Sequence, residues 1–133
     1  MTITGKCLCG SVTLAIAAEP IATRLCWCRL CQRLAAGNAT VNMVFPAEAV
    51  KTIGEVRWFE SVADSGNAMR RAFCPNCGTP VFSFAEARPH LMIVRAGMLD
   101  DPALVRPSTI IWAGSAPGWA TLDPAMEHVA GQP

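Results

Sequence analysis

The stretch Cys74-Pro75-Asn76-Cys77-Gly78 decides how this chain folds. Two thiols two residues apart and followed by glycine form a turn that sets both sulfurs on one side. Glycine relieves the steric cost of that turn. One such knuckle supplies half of a tetrahedral zinc site. Upstream, Cys7-Leu8-Cys9-Gly10 is a matching donor. On extended backbone Cys7 and Cys9 share a face, and Gly10 allows a turn into the strand at Ser11. Joining the two pairs ties the N-terminal hairpin to the second half of the chain. A structural zinc carries roughly 10–16 kcal/mol of apparent binding free energy. A domain of this size has a net stability of about 5–15 kcal/mol. Loss of that metal is therefore expected to cost the fold. The rival readings are buried apolar cysteines or a redox dithiol, but no thioredoxin-like βαβ context surrounds the pair.

Three of the seven cysteines remain, in Cys26-Trp27-Cys28-Arg29-Leu30-Cys31. Cys26 and Cys28 share a strand face, and Cys31 lies one helical turn after Cys28. A strand-to-helix junction can converge all three sulfurs on one ion. Three ligands leave a fourth position open, which a catalytic zinc requires. Neither histidine offers a fourth ligand: His90 follows Arg88-Pro89 and His128 sits near the terminus. Three thiolates donate heavily to zinc, so binding a soft exogenous thiol suits the site better than activating water. A small electrophile such as an aldehyde is the natural partner of such a thiol. A second closed zinc site, a regulatory or adventitious cluster, or a redox centre at Cys26, Cys28 and Cys31 are the alternatives. Arg29, Gln32 and Arg33 flank the trio and are candidates to grip substrate carboxylates. A solvated helix face is the competing reading.

The chain has 133 residues, is 52% hydrophobic and 16% charged, and carries a formal net charge of +1. These values suit one globular domain over residues 1–133, with its core at about 4–126. No basic block exists, so binding nucleic acid through its phosphates is not expected. No apolar run reaches a membrane span, and the start lacks a signal peptide's apolar segment. A cytoplasmic location follows. There thiols bind metal rather than pair as disulfides, and an odd cysteine count points the same way.

Val12, Leu14 and Ile16 alternate with small or polar residues, the period of a half-buried strand. Further strands are predicted at Thr23–Trp27, Asn38–Phe45, Val50–Phe59, Ala68–Phe73, Pro80–Phe84, Leu91–Ala96 and Ser108–Trp112, with Pro46 and Gly54 as punctuation. Residues Ser61–Asn67 read as a polar loop. One short helix runs from Arg29 to Ala36 and stops at Gly37-Asn38. Asp100-Asp101-Pro102 is placed to start a single helical turn. Arg70 and Arg71 adjoin the knuckle and would offset thiolate charge. Trp58, Trp112 and Trp119 read as core. The sum is a mainly β domain of short antiparallel strands.

These residues resemble the glutathione-dependent formaldehyde-activating enzyme family, which shares its domain with centromere protein V. The matching parts are Gly5-Lys-Cys-Leu-Cys-Gly-Ser-Val12, Cys26-x-Cys28-x-x-Cys31, Arg70 to Pro80, Gly97-Met-Leu-Asp-Asp-Pro102, and Ile111-Trp112 with Trp119. The resemblance implies a zinc-braced β tent. It implies a structural zinc on Cys7, Cys9, Cys74 and Cys77 and a catalytic zinc on Cys26, Cys28 and Cys31. The implied activity is that of a carbon–sulfur lyase joining glutathione, or a similar thiol, to formaldehyde. A non-catalytic zinc module that carries or senses a small thiol is the alternative. Family members usually have His where this chain has Trp27. By strand alternation Trp27 should point away from Cys26 and Cys28.

Overall fold

A computed structural model describes residues 2–133. Its elements run β1 (Ile3–Lys6), β2 (Thr13–Ile16), β3 (Ala22–Cys26), α1 (Arg29–Leu34), β4 (Thr40–Pro46), β5 (Val50–Ile53), β6 (Arg57–Val62), β7 (Ala68–Phe73), β8 (Pro80–Ala85), β9 (Leu91–Arg95), β10 (Thr109–Ile111) and β11 (Glu127–His128). Four short 3₁₀ turns complete the regular structure. The protein is mainly β, with one short helix after Cys28, as the alternation predicts.

The strands form two sheets, a small one ordered β1-β2-β5 and a large one ordered β11-β10-β3-β4-β9-β8-β7-β6. One core lies between them. Ile3, Val12, Leu14 and Ile16 from the small sheet's side meet Met43, Phe45, Val81, Phe82 and Val94 from the large sheet. Period two is what makes this work: Leu14 and Ile16 are buried while Thr13 and Ala15 are half-buried. Cys7 and Cys74 belong to the same core, so the cysteine pairs sit where the sheets converge.

The boundaries depart from the sequence expectations for local reasons. Val50–Phe59 divides at Gly54 into strands of different sheets. β5 pairs with β2 in the small sheet, whereas β6 pairs with β7 in the large one. Gly54 makes the break, with φ +104°. β6 continues through Ser61 and Val62, so the expected polar loop shrinks to the hairpin tip at 63–67, closed by Ala63 N–H donating to Asn67 O at 2.8 Å. α1 ends at Leu34 because Ala36 turns left-handed (φ 55°) before Gly37. The helical turn after Asp101 forms as expected, over Pro102–Leu104, with the Asp101 carboxylate accepting from Ala103 N–H at 2.9 Å.

Most pairings are antiparallel, but β10 runs parallel to both β3 and β11. Parallel neighbours need a long connection. Between β3 and β10 the chain supplies a long one, which ends in two 3₁₀ turns over Ala96–Met98 and Pro102–Leu104. That return lays Ile111 beside Cys26 and helps enclose the second cysteine cluster.

Candidate metal centres

The first centre gathers Cys7, Cys9, Cys74 and Cys77, whose four sulfurs lie within 4.8 Å of one another. The Sγ–Sγ separations are 3.6 Å for Cys7–Cys9 and 3.7 Å for Cys9–Cys74. A tetrahedron with Zn–S bonds of about 2.3 Å has edges of about 3.8 Å, so the donor set fits zinc. It does not fit disulfides, whose sulfurs lie about 2.05 Å apart; all seven cysteines are free. Gly78 adopts φ 76°, which closes the knuckle. Backbone N–H groups reach the sulfurs, from Val12 to Cys7 at 3.3 Å and from Cys77 to Cys74 at 3.5 Å.

Two hydroxyls support this set without signalling themselves in the sequence. Ser11 Oγ lies 3.0 Å from Cys9 Sγ and 3.3 Å from Cys74 Sγ. Thr79 Oγ1 lies 3.1 Å from Cys77 Sγ and also accepts from Leu8 N–H at 3.1 Å. Hydrogen bonds to a thiolate favour its charged form. Accordingly Ser11 draws the Cys9 thiol down to about 7, and Thr79 draws Cys77 down to about 5. Both shifts prepare anionic sulfur for a cation.

The second centre gathers Cys26, Cys28 and Cys31, again with all three sulfurs within 4.8 Å. All three are buried. Cys26 ends β3. Cys28 is the N-cap of α1, and its sulfur accepts Cys31 N–H at 3.3 Å. Cys31 completes the first turn. Ile111, Leu30, Trp112 and Val129 wall the cluster with apolar atoms. The neighbouring Cys26 and Cys28 thiols pull the Cys31 thiol well below the ordinary value. Thr40 and the positive Arg95 act in the same direction. Sharing protons with Cys28 and Cys31 pushes Cys26 the other way. Within the trio, Cys31 is thus the thiol whose pKa is lowered, while those of Cys26 and Cys28 are raised. His90 and His128 are exposed and join neither cluster.

The flanking residues divide. Gln32 is buried, and its amide bridges Trp27 O at 2.7 Å and Ser115 O at 3.1 Å. Its Oε1 accepts from Arg29. Gln32 therefore anchors the helix to the loop before it, and Arg29, though exposed, is turned onto Gln32. Arg33 is exposed and lines a cavity of about 340 Å³ with Leu34, Phe59, Arg71, Phe73 and Arg95. The trio's sulfurs are not part of that lining, but Arg95 bears on both surroundings: it lines the cavity, and its positive charge acts on Cys31. Sequence reasoning missed Arg95, which carries no local motif.

Three other expectations are corrected or refined. Arg70 does not serve the knuckle. It pairs with Glu60 at 3.4 Å and stacks over Trp58 at 4.3 Å. Trp119 is 67% exposed rather than core, while Trp58 and Trp112 are half-buried. Trp27 is buried, packs edge-on against Trp119 at 6.0 Å between ring centres, and is not among the residues that wall the trio.

The glutathione-dependent formaldehyde-activating enzyme family matches residues 2–115. The chain belongs to that family. No curated protein matches it. A crystal structure of a Rhodobacter sphaeroides protein shares the fold, with TM-score 0.60 and 17% identity over 75% of this chain and 92% of that one. Both cysteine clusters fall within the matched family region. No helix among the described residues is long and apolar enough to cross a membrane.

Proposed function

We propose that this chain, acting as one domain, is a carbon–sulfur lyase that joins a small glutathione-like thiol to an aldehyde such as formaldehyde and splits the adduct again. In the forward direction a bond forms between thiol sulfur and carbonyl carbon, and the thiol proton ends on the carbonyl oxygen. A zinc ion held by Cys26, Cys28 and Cys31 would supply a sulfur-rich Lewis acid with one open position, where a thiol is held as thiolate.

The chain's own residues do the rest. The β3–α1 junction fixes three sulfurs around one point, and Gln32 keeps that junction rigid through its bonds to Trp27 and Ser115. Apolar walls exclude water, which strengthens every charge interaction inside. Arg95 offsets the negative charge of the sulfurs. Cys7, Cys9, Cys74 and Cys77 would hold a second zinc that braces the two sheets.

The observation that carries the reading is the trio itself: three mutually adjacent buried sulfurs, with no His, Asp or Glu as a fourth ligand among the described residues. The test is to incubate the zinc-loaded protein with glutathione and formaldehyde and follow exchange between free and adduct species by NMR. Exchange no faster than in buffer removes the lyase reading. Thiol binding by calorimetry without such exchange would mark a carrier instead.

A further inference from the structure

Arg71 and Arg95 are each only 9% exposed, and both line the 340 Å³ cavity. Strand register sets them on one face of the large sheet. Arg71 lies opposite Ser83 and Ser83 opposite Ile93, and Arg95 follows Ile93 by two positions on β9. From Arg95 the same face continues across Asn42 to Arg24, and two positions along β3 to Cys26. Arg70, Trp58 and Phe84 occupy the opposite face.

Arginine is almost never this buried without a partner. Yet the one ion pair among the described residues is Arg70–Glu60, on the other face. Arg71 donates to Ser61 Oγ and Arg95 to Asn42 Oδ1, both neutral acceptors. Arg71 Nε has no partner, and neither has Ser83 Oγ in the adjacent register position. Both guanidiniums are desolvated on the same sheet face, and their positive charges repel. Two desolvated like charges with spare donors are costly unless an anion joins them. Three thiolates and one zinc would sum to a single negative charge, which one guanidinium balances. The second guanidinium is left over, so a monoanion fits.

We propose that Arg71 and Arg95 form a subsite for the carboxylate of a short organic acid, whose reacting atom reaches the Cys26–Cys28–Cys31 sulfurs past Arg95. The planar fork of arginine matches a carboxylate through two parallel hydrogen bonds. The ligand is short because Arg95, which lines the cavity, lies opposite Asn42, two positions along β4 from the Thr40 that pairs with Cys26. Arg33, exposed at the rim, assists entry. The carboxylate belongs either to the thiol or to the electrophile; uncharged formaldehyde leaves the subsite unused. The proposal rests on the lyase reading for the reaction, but not for the anion.

The test uses zinc-loaded protein and side-chain ¹⁵N NMR of the arginine Nε–H groups. Mercaptoacetate is titrated against 2-mercaptoethanol, and glyoxylate against acetaldehyde. At least one acid should bind tenfold or more tightly than its neutral counterpart and shift the Arg71 Nε–H signal. Which acid does so identifies the reactant that carries the carboxylate. Arg71→Gln should cut the advantage below twofold, and Arg71→Lys, which keeps the charge but not the fork, should retain part of it. Arg33→Gln, a surface change that spares the fold, should weaken the acid two- to fivefold. The subsite is refuted if neither acid beats its neutral counterpart, or if the advantage survives in a folded Arg71→Gln protein. Acid binding without thiol–aldehyde exchange keeps the subsite and discards the lyase. Exchange with no carboxylate preference does the reverse.

Discussion

Cys7→Ser should melt this protein far below the temperature at which Cys28→Ser does, although each removes one ligand from one three- or four-sulfur set. Cys7 is 2% exposed, packs in the main core and sits 3.6 Å from Cys9 in the quartet. The quartet joins the segment after β1 to the β7–β8 knuckle, so a bound ion closes a loop on the order of 65 residues. By the chain-entropy relation for cross-links, such a loop contributes about 4 kcal/mol by restricting the unfolded chain. For a domain this large each kcal/mol moves Tm by about 4 °C, so loss of the quartet's ion should cost about 15 °C or more. Cys28 belongs to a trio confined to one short segment, and closing so small a loop restricts the unfolded chain little. Its loss should move Tm by no more than about 5 °C. Circular dichroism melts give Tm, and native mass spectrometry counts zinc per chain. Both variants should lose one ion, but only Cys7→Ser should show the large drop in Tm. Equal Tm shifts, or Cys7→Ser with full zinc and an unchanged Tm, would refute the division into a bracing and a reacting centre.

Gly5→Ala should destabilise by at least about 2 kcal/mol, the scale of overpacked sites. A Cβ there would lie 2.2 Å from Met98 O, a backbone atom that cannot step aside. Urea titration reads this directly, and an unchanged midpoint would contradict the close approach of β1 to the Ala96–Met98 turn. Gln32→Ala removes the donor to Trp27 O and Ser115 O and leaves the buried Trp27 carbonyl unpaired, at about 1–3 kcal/mol. Its diagnostic sign is faster zinc release from the trio in a chelator assay, with release from the quartet unchanged. Zinc affinity should fall with pH, because protons compete for the thiolates. A colorimetric indicator should show the trio emptying at a higher pH than the quartet, whose release also requires unfolding. The opposite order would count against the quartet as the brace.

The division of seven cysteines into a quartet and a trio was legible because metal-ligand spacing is local. Cys-x-x-Cys-Gly turns the same way wherever it occurs, and Cys28 to Cys31 is one helical turn in any fold. Alternation at Val12, Leu14 and Ile16 likewise fixed which face of β2 enters the core, since period two belongs to the backbone. The break at Gly54 was written in the sequence, but not its result, because only pairing partners distinguish β5 in one sheet from β6 in the other. Gln32 shows the same limit: its type suggests ligand binding, while its position over Trp27 O makes it an anchor. Arg71 and Arg95 show it most clearly. Nothing near either residue in the chain predicts that they share a cavity, because cross-strand register joins them through β8. The sequence by itself chose the ligands and the periodicity, which depend on neighbours along the chain. The tertiary structure chose which charges meet, because sheet pairing is long-range and one residue of slip would send each side chain to the other face.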